Sequence, residues 1–277
     1  MKLIFSRKGI DDAYGRGASP IFPNGEMISI PIPVRGKEKG SLYKDISFRH
    51  LNYQQLIRQL DLPIKRKICH FDPDLNPIYF KRHLNWSPCL GHHGAAAKHL
   101  LNNHVSAGDV FLFFGSFKQL ELRKYKQFGF RSDSEKRHVI FGYLRIGQIL
   151  DLKNSLDKQE AMRLGYEAHP HLLNDYPKTN ILFVAEHSNQ SAGLFNFHTD
   201  LVLTKENATK SIWELPLFFK DVHITRHENV NRVSIQDQKT ILKTVGIGQD
   251  FVVEENKETT KWVNQLIEKH SRSSKRY

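Results

Sequence analysis

Apolar residues in this chain fall into short runs broken by glycine, proline and charged stretches. That is the pattern of a sheet-based protein with a few amphipathic helices. Leu3 to Phe5 opens as a strand and runs into Ser6-Arg7-Lys8-Gly9. Gly15, Gly17, Pro20, Pro23 and Asn24-Gly25 then predict loop and tight turn, and Met27 to Ile32 alternates like a strand. Gly36 to Gly40 is a basic loop. Ser47 could cap a helix carrying Phe48, Leu51, Leu56, Ile57 and Leu60, closed by Pro63. Ile68 to Phe71 reads as a short strand, 75–93 as irregular, and Gly94 to Asn103 as a helix.

Val110 to Phe114 and His138 to Leu150 are the clearest strands, separated by a basic, flexible segment rich in Lys and Arg. Ile181 to Ala185 and Leu201 to Leu203 read as strands, and Trp213 to Phe219 is an apolar run broken by Pro216. Trp262, Val263, Leu266 and Ile267 mark a C-terminal amphipathic helix. Together these elements predict a mixed α/β (α+β) fold. It has a central, mostly antiparallel, barrel-like sheet and flanking helices. The expectation is a single domain over residues 1–270 with a soft seam near 150, then a frayed basic tail at 271–277.

Composition narrows the class. The chain has 277 residues, enough to bury a real core. Mean hydropathy is -0.49, and the longest apolar run, Val110 to Phe114, is far below the roughly 20 residues a membrane helix needs. Arg7, Lys8, Asp11 and Asp12 follow Met1 too closely for a secretory leader. Two cysteines, Cys69 and Cys89, make no disulfide framework, so a reducing cytoplasmic setting is expected. The net charge is +12, from 41 basic and 29 acidic residues. Residues 1–150 hold 24 of the basic and 12 of the acidic ones, while the remainder cancels at 17 each. The whole excess therefore lies in one half, as expected if one face meets a polyanion such as DNA or a nucleotide phosphate.

Three clusters could carry chemistry. Ser6, Arg7 and Lys8, at a strand end, could hold a phosphate through a hydroxyl, a guanidinium fork and an ammonium; the carboxylates Asp11 and Asp12 follow, and Asp12 is a candidate base. A surface loop with local ion pairs is the competing reading. His70, Asp72 and Asp74 would share one side of an extended segment, suited to acid–base work or a divalent metal, with a turn at Pro73 as the competitor. His92 and His93 open a small-residue helix, and adjacent helical side chains point about 100° apart, so one of them, His93, is the candidate proton shuttle. His169 and His171 flank Pro170 and could be functional, with a surface turn as the preferred reading. The basic segment supplies candidate nucleic-acid contacts at Lys118, Arg123, Lys124 and Arg131, interleaved with Tyr125, Phe128 and Phe130 that could stack on bases. No zinc spacing, P-loop, dinucleotide fingerprint or deaminase signature occurs.

Gly108-Asp109 leading into a buried strand, followed by a strand with Gly142 and Gly147, resembles the small barrels of the PUA/EVE/ASCH group. That resemblance implies RNA or modified-base binding. Several strings in order resemble the nucleotide modification associated domain family, third type. They are Phe5-Ser6-Arg7-Lys8-Gly9, Ser19-Pro20-Ile21 with Asn24-Gly25, Pro31-Ile32-Pro33, and His70-Phe71-Asp72-Pro73-Asp74. Gly108 to Gly115, Phe141-Gly142-Tyr143 and Gly248-Gln249-Asp250-Phe251-Val252 complete them. This resemblance covers most of the chain and implies a bacterial or phage protein tied to modification of DNA or nucleotides, with other modification-system proteins as partners. It assigns no reaction.

Three functions follow as expectations. The first is an enzyme that modifies a base or nucleotide, using Asp72, Asp74 and His70 near the reacting group and Arg7 and Lys8 on phosphate. The second is a non-catalytic reader of modified bases on a PUA-like barrel. The third is a metal-dependent nuclease of a phage-defence system. No membrane partner is expected.

Overall fold

The apolar run at 110–114 is the start of a much longer strand. In the computed structural model, which describes residues 1–188, 190–245 and 249–272, β9 (Val110–Leu122) spans 13 residues and β11 (Arg137–Asp151) 15. The first eight residues of β9 are buried, because the middle of the sheet is covered on both faces. Its outer end carries Lys118 and Glu121 towards solvent and pairs with β10 (Phe128–Phe130). The segment expected to be flexible is therefore largely a hairpin extension.

The nine-stranded sheet runs β17 (Asp250–Val253), β1 (Leu3–Arg7), β9, β11, β12 (Asn180–Ala185), β8 (Cys89–His93). β2 (Ser19–Ile21) and β13 (Ala192–Leu194) join β9 and β11 respectively. β1 and β2 pair with β9 in parallel and the other pairs are antiparallel, so the sheet is mixed. It is not a barrel: among the described residues no pairing joins the edge strands β17 and β8. Gly142 and Gly147 do sit at register shifts in β11. A Cβ at Gly147 would lie 2.4 Å from Glu186 Cα. These bulges bend the strand without closing the sheet.

Three smaller sheets complete the strands. β3 (Ile32–Pro33) and β4 (Ser41–Leu42) flank β7 (Ile68–His70), and β5 (Ser47–Phe48) pairs β6 (Leu51–Asn52). β14 (Ile212–Pro216) and β15 (Val233–Gln236) flank β16 (Lys239–Lys243). The helix expected from Ser47 begins later, as α1 (Tyr53–Gln59). Asn52 and Gln55 form a reciprocal capping box there, which satisfies two of the orphan N–H groups. Met27, Ile28 and Ile30 are buried, Met27 making an isolated bridge to Ile21, and the strand is confined to Ile32–Pro33. Leu201 ends a short 3-10 turn.

α2 (Gly94–Asn102), α3 (Ser155–Arg163) and α4 (Pro170–Leu173) pack near β8, β11 and β12. α5 (Lys257–His270) lays Val263, Leu266 and Ile267 on the main core. Of the expected tail, Ser271 bridges Phe195 and Arg272 donates to Met27 and Leu194 carbonyls, while 273–277 lie outside the described residues. Among the expected stacking aromatics, Tyr125 is exposed and Phe128 and Phe130 are half-buried against a second core.

Candidate active site

Beyond the end of β1, side chains from five separate segments meet. The Lys8 N–H donates to the Phe114 carbonyl (2.8 Å), continuing the ladder, and its side chain turns inward to 3% exposure. Its Nζ stands 3.9 Å from Asp72 Oδ2. Asp72 follows β7 with its side chain only 2% exposed; its Oδ1 accepts the Gly91 N–H at 2.8 Å. His169 Nε2 lies 3.3 Å from that same oxygen, and His70 Nε2 lies 3.9 Å from Oδ2. The His169 nitrogen is buried and not aligned for a hydrogen bond with any described residue.

His171 enters from α4, whose first position is Pro170. Its ring lies so close over β8 that a Cβ at Gly91 would sit 2.2 Å from Cδ2 and 2.7 Å from Nε2. Only glycine allows that approach. His171 Nδ1 is 2.7 Å from Asn180 Oδ1, while Asn180 Nδ2 donates to the His171 carbonyl at 2.9 Å. Because the amide nitrogen is spent on that carbonyl, Oδ1 is an acceptor and His171 carries its proton on Nδ1. The Nε2 lone pair is thereby turned towards Asp72 and His70.

At the rim, exposed His93 stacks on Tyr176 with centroids 3.8 Å apart and planes 8° apart. The basic loop 36–40 is clasped to the end of α4, since Lys39 N and O pair with the Asn174 amide at 2.8 and 2.9 Å. A neighbouring centre, whose carboxylate also feels the Lys8 charge, is built on β17. The β1–β17 register sets Ser6 opposite Asp250, and Ser6 Oγ donates to Asp250 Oδ1 at 2.5 Å. His92 Nε2 stands 3.3 Å from the same oxygen. Asp250 Oδ2 is buried with no hydrogen-bond partner among the described residues.

Electrostatics hold these groups in definite states. Burial alone would raise the Asp72 carboxyl, but His169, Lys8 and His171 outweigh it and keep it well below the usual range. Asp250 is likewise pushed up by burial and pulled down more strongly by His92, Lys8 and Ser6, to about 2. Burial drives His70 down to about 4 against the opposing pull of Asp72, and drives His171 well below its ordinary value. The centre thus offers an ionised carboxylate beside neutral imidazoles at neutral pH. A cavity of about 30 Å³, room for a water, reaches Asp72 between Ser29, Tyr53, Tyr79 and Phe141.

The other expected site residues lie elsewhere or are otherwise engaged. Asp74 does not join His70 and Asp72 on one side. It is gripped by both guanidinium nitrogens of Arg82 (Nη1 to Oδ2 2.6 Å), and Arg82 in turn stacks over Trp86 at 4.0 Å. Burial pushes the Asp74 carboxyl up and Arg82 opposes it. β7 ends at His70, so the alternation that would have aligned all three residues stops there. Asp12 is exposed and pairs with Lys136 (2.6 Å) and Lys210. Asp11 caps the backbone of Ala13 and Tyr14, and Arg7 lies 3.9 Å from its carboxylate. Ser6 and Lys8 are buried partners of carboxylates, not an open phosphate grip.

Lys118 sits over the Phe130 ring at 5.7 Å, Arg123 pairs with Glu121, Arg131 pairs with Asp133, and Lys124 is exposed. All four lie on the β9–β10 extension. Sequence reasoning took His169 and His171 for a surface turn, whereas both are buried in the centre. Asn180 and Tyr176 carried no signal of their own. Asp250 stood only inside a short string whose Gly248 lies outside the described residues.

Fold and site together define an open mixed-sheet α/β protein with a buried carboxylate, imidazole and ammonium centre. The chain belongs to the family described as nucleotide modification associated domain 3, which matches residues 2–254 and so takes in the whole centre from Lys8 to Asp250. No curated protein and no solved structure matches it. Membership ties the chain to nucleotide modification. Among the described residues no helix is long and apolar enough to cross a membrane.

Proposed function

We propose that this chain is an enzyme of nucleotide modification whose reactive centre is the cluster of Lys8, His70, Asp72, His169 and His171. The observation that carries this reading is the burial of an ionised Asp72 among three imidazoles and an ammonium. Desolvating charge in this way costs stability, and groups so perturbed cluster at functional sites. Neutral His70 and His171 present lone pairs beside the ionised Asp72, a donor set suited to acid–base work or to holding an electrophile. The cavity beside Asp72 is too small for a nucleotide. A base or nucleotide therefore lies outside, at the rim formed by His93 and half-buried His70, where the stacked His93–Tyr176 pair offers a flat apolar face. For a base in a duplex this requires flipping it out.

Exposed Arg123 and Lys124 on the β9–β10 extension support contact with a DNA backbone. Free, buried Cys69 and Cys89 support a reducing cytoplasmic setting. The test compares cells producing the wild type, Asp72→Asn, or neither, by mass spectrometry of nucleosides from DNA, RNA and the nucleotide pool. A nucleoside of altered mass in wild-type cells, absent with folded Asp72→Asn, is the expected result. Identical profiles in cells with and without the wild-type protein overturn the reading.

A further inference from the structure

We propose that His70, Asp72 and His171 form a binding site for one divalent first-row transition ion, with its remaining positions open to water or an anionic oxygen of the substrate. This rests on the same centre as the proposed function and names the ligand it holds. The three residues each present a donor atom, and all three atoms lie within 4.8 Å of one another. Ligands at about 2.0–2.2 Å from an ion stand roughly 3–3.5 Å apart, so small side-chain rotations close the set. Two imidazoles and one carboxylate on one face is the donor set that suits iron(II), manganese, cobalt or zinc and leaves positions free.

The surroundings are those of a ligand set held in place. Asn180 fixes the His171 tautomer so that Nε2 is unprotonated. The Gly91 N–H holds Asp72 Oδ1, leaving Oδ2, which accepts no hydrogen bond among the described residues, with His70 Nε2 and Lys8 Nζ each 3.9 Å away. Such outer hydrogen bonds orient metal ligands and tune their basicity. Buried His169 Nε2, 3.3 Å from Asp72 Oδ1, is a second group that holds the carboxylate in place.

A second trio, His198, Asp200 and His270, has similar spacing, but its carboxylate is already paired with Lys269 at 2.7 Å and is solvent-exposed. It serves as the control. The full chain is stripped with chelator and titrated with the chloride salts of Mn²⁺, Co²⁺ and Zn²⁺ by calorimetry and thermal melting. Neither readout needs turnover, so a failure here is separable from a failure of the nucleoside test. Wild type is expected to bind one ion per chain with a rise in Tm. Asp72→Asn and His171→Gln should lose that rise, Asn180→Ala should weaken binding about 10- to 100-fold, and Asp200→Asn should change nothing. X-ray absorption of the loaded wild type, which does not depend on any variant folding, should count two imidazoles on the ion. Absence of a stoichiometric site in the wild type overturns the proposal, as does binding lost in Asp200→Asn but kept in His171→Gln, or an ion without imidazole ligands.

Discussion

Gly91→Ala is the sharpest probe of how the centre is built. The added methyl would meet His171 Cδ2, Cγ and Nε2 at 2.2, 2.5 and 2.7 Å, all well inside contact distance. β8 cannot easily yield, because it is paired to β12 with Gly91 opposite Leu182, and Gly91 N–H is bonded to Asp72. The imidazole must move instead, and with it goes the 2.7 Å bond to Asn180. Overpacking costs about 1–3 kcal/mol and the lost hydrogen bond about 1 kcal/mol. A total near 3 kcal/mol lowers Tm by roughly 6–12 °C in a chain of this size. Urea denaturation of wild type, Gly91→Ala and the control Gly193→Ala measures it. At Gly193 an added Cβ meets only the Tyr143 ring, at 3.3 Å or more, which a shift of a few tenths of an ångström relieves, so that variant should lose less than about 1 kcal/mol. A Gly91→Ala protein as stable as Gly193→Ala would refute the packing of His171 on β8, and with it the orientation of its Nε2.

Three further outcomes follow. His138 is buried, accepts the Trp213 indole N–H at 3.0 Å, and is driven down to about 3 chiefly by burial, with Lys210 and Arg7 adding and Asp12 opposing. The unfolded chain takes up its proton near pH 6.5 and the folded one does not, so stability from this residue is present above 6.5 and falls as pH drops towards 3. At about 1.4 kcal/mol per pH unit, the loss reaches about 2 kcal/mol at pH 5; stability measured at pH 7 and pH 5 should fall less in His138→Gln, and equal falls would count against it. Arg82→Met leaves Asp74 buried and unpaired and should cost about 3–5 kcal/mol in urea denaturation, most of it recovered in the Asp74→Asn, Arg82→Met double variant. Asp12→Ala removes only exposed ion pairs, so it should cost under about 1 kcal/mol and leave the yield of modified nucleoside unchanged, in contrast to Asp72→Asn.

The central strands were legible because their apolar runs are continuous. β11, β12, α2 and α5 lie within a few residues of where periodicity sets them. β8 was missed because Cys-Leu-Gly-His-His has neither alternation nor β-branched residues; it is a strand only because β12 pairs with it. The barrel expectation failed on a similar point. Glycines in β11 announce bulges, but whether a bent sheet closes depends on which strands lie at its edges, and β17 comes from the far end of the chain.

The same division holds for the site. Local chemistry singled out His70, Asp72 and Lys8, and these do meet. It also selected Asp12 and Asp74, whose neighbours in space, Lys136, Lys210 and Arg82, turn them into ion pairs. The sequence by itself determined the mixed α/β class, the family, the basic first half and the carboxylate–histidine string from His70 to Asp74. Only the tertiary structure decided which of those groups share a desolvated space. His169, His171, Asn180 and Asp250 lie on average more than 100 residues from Asp72 and Lys8, and no local pattern encodes the sheet pairing and helix packing that set His169 3.3 Å from Asp72, Asn180 2.7 Å from His171 and Asp250 3.3 Å from His92.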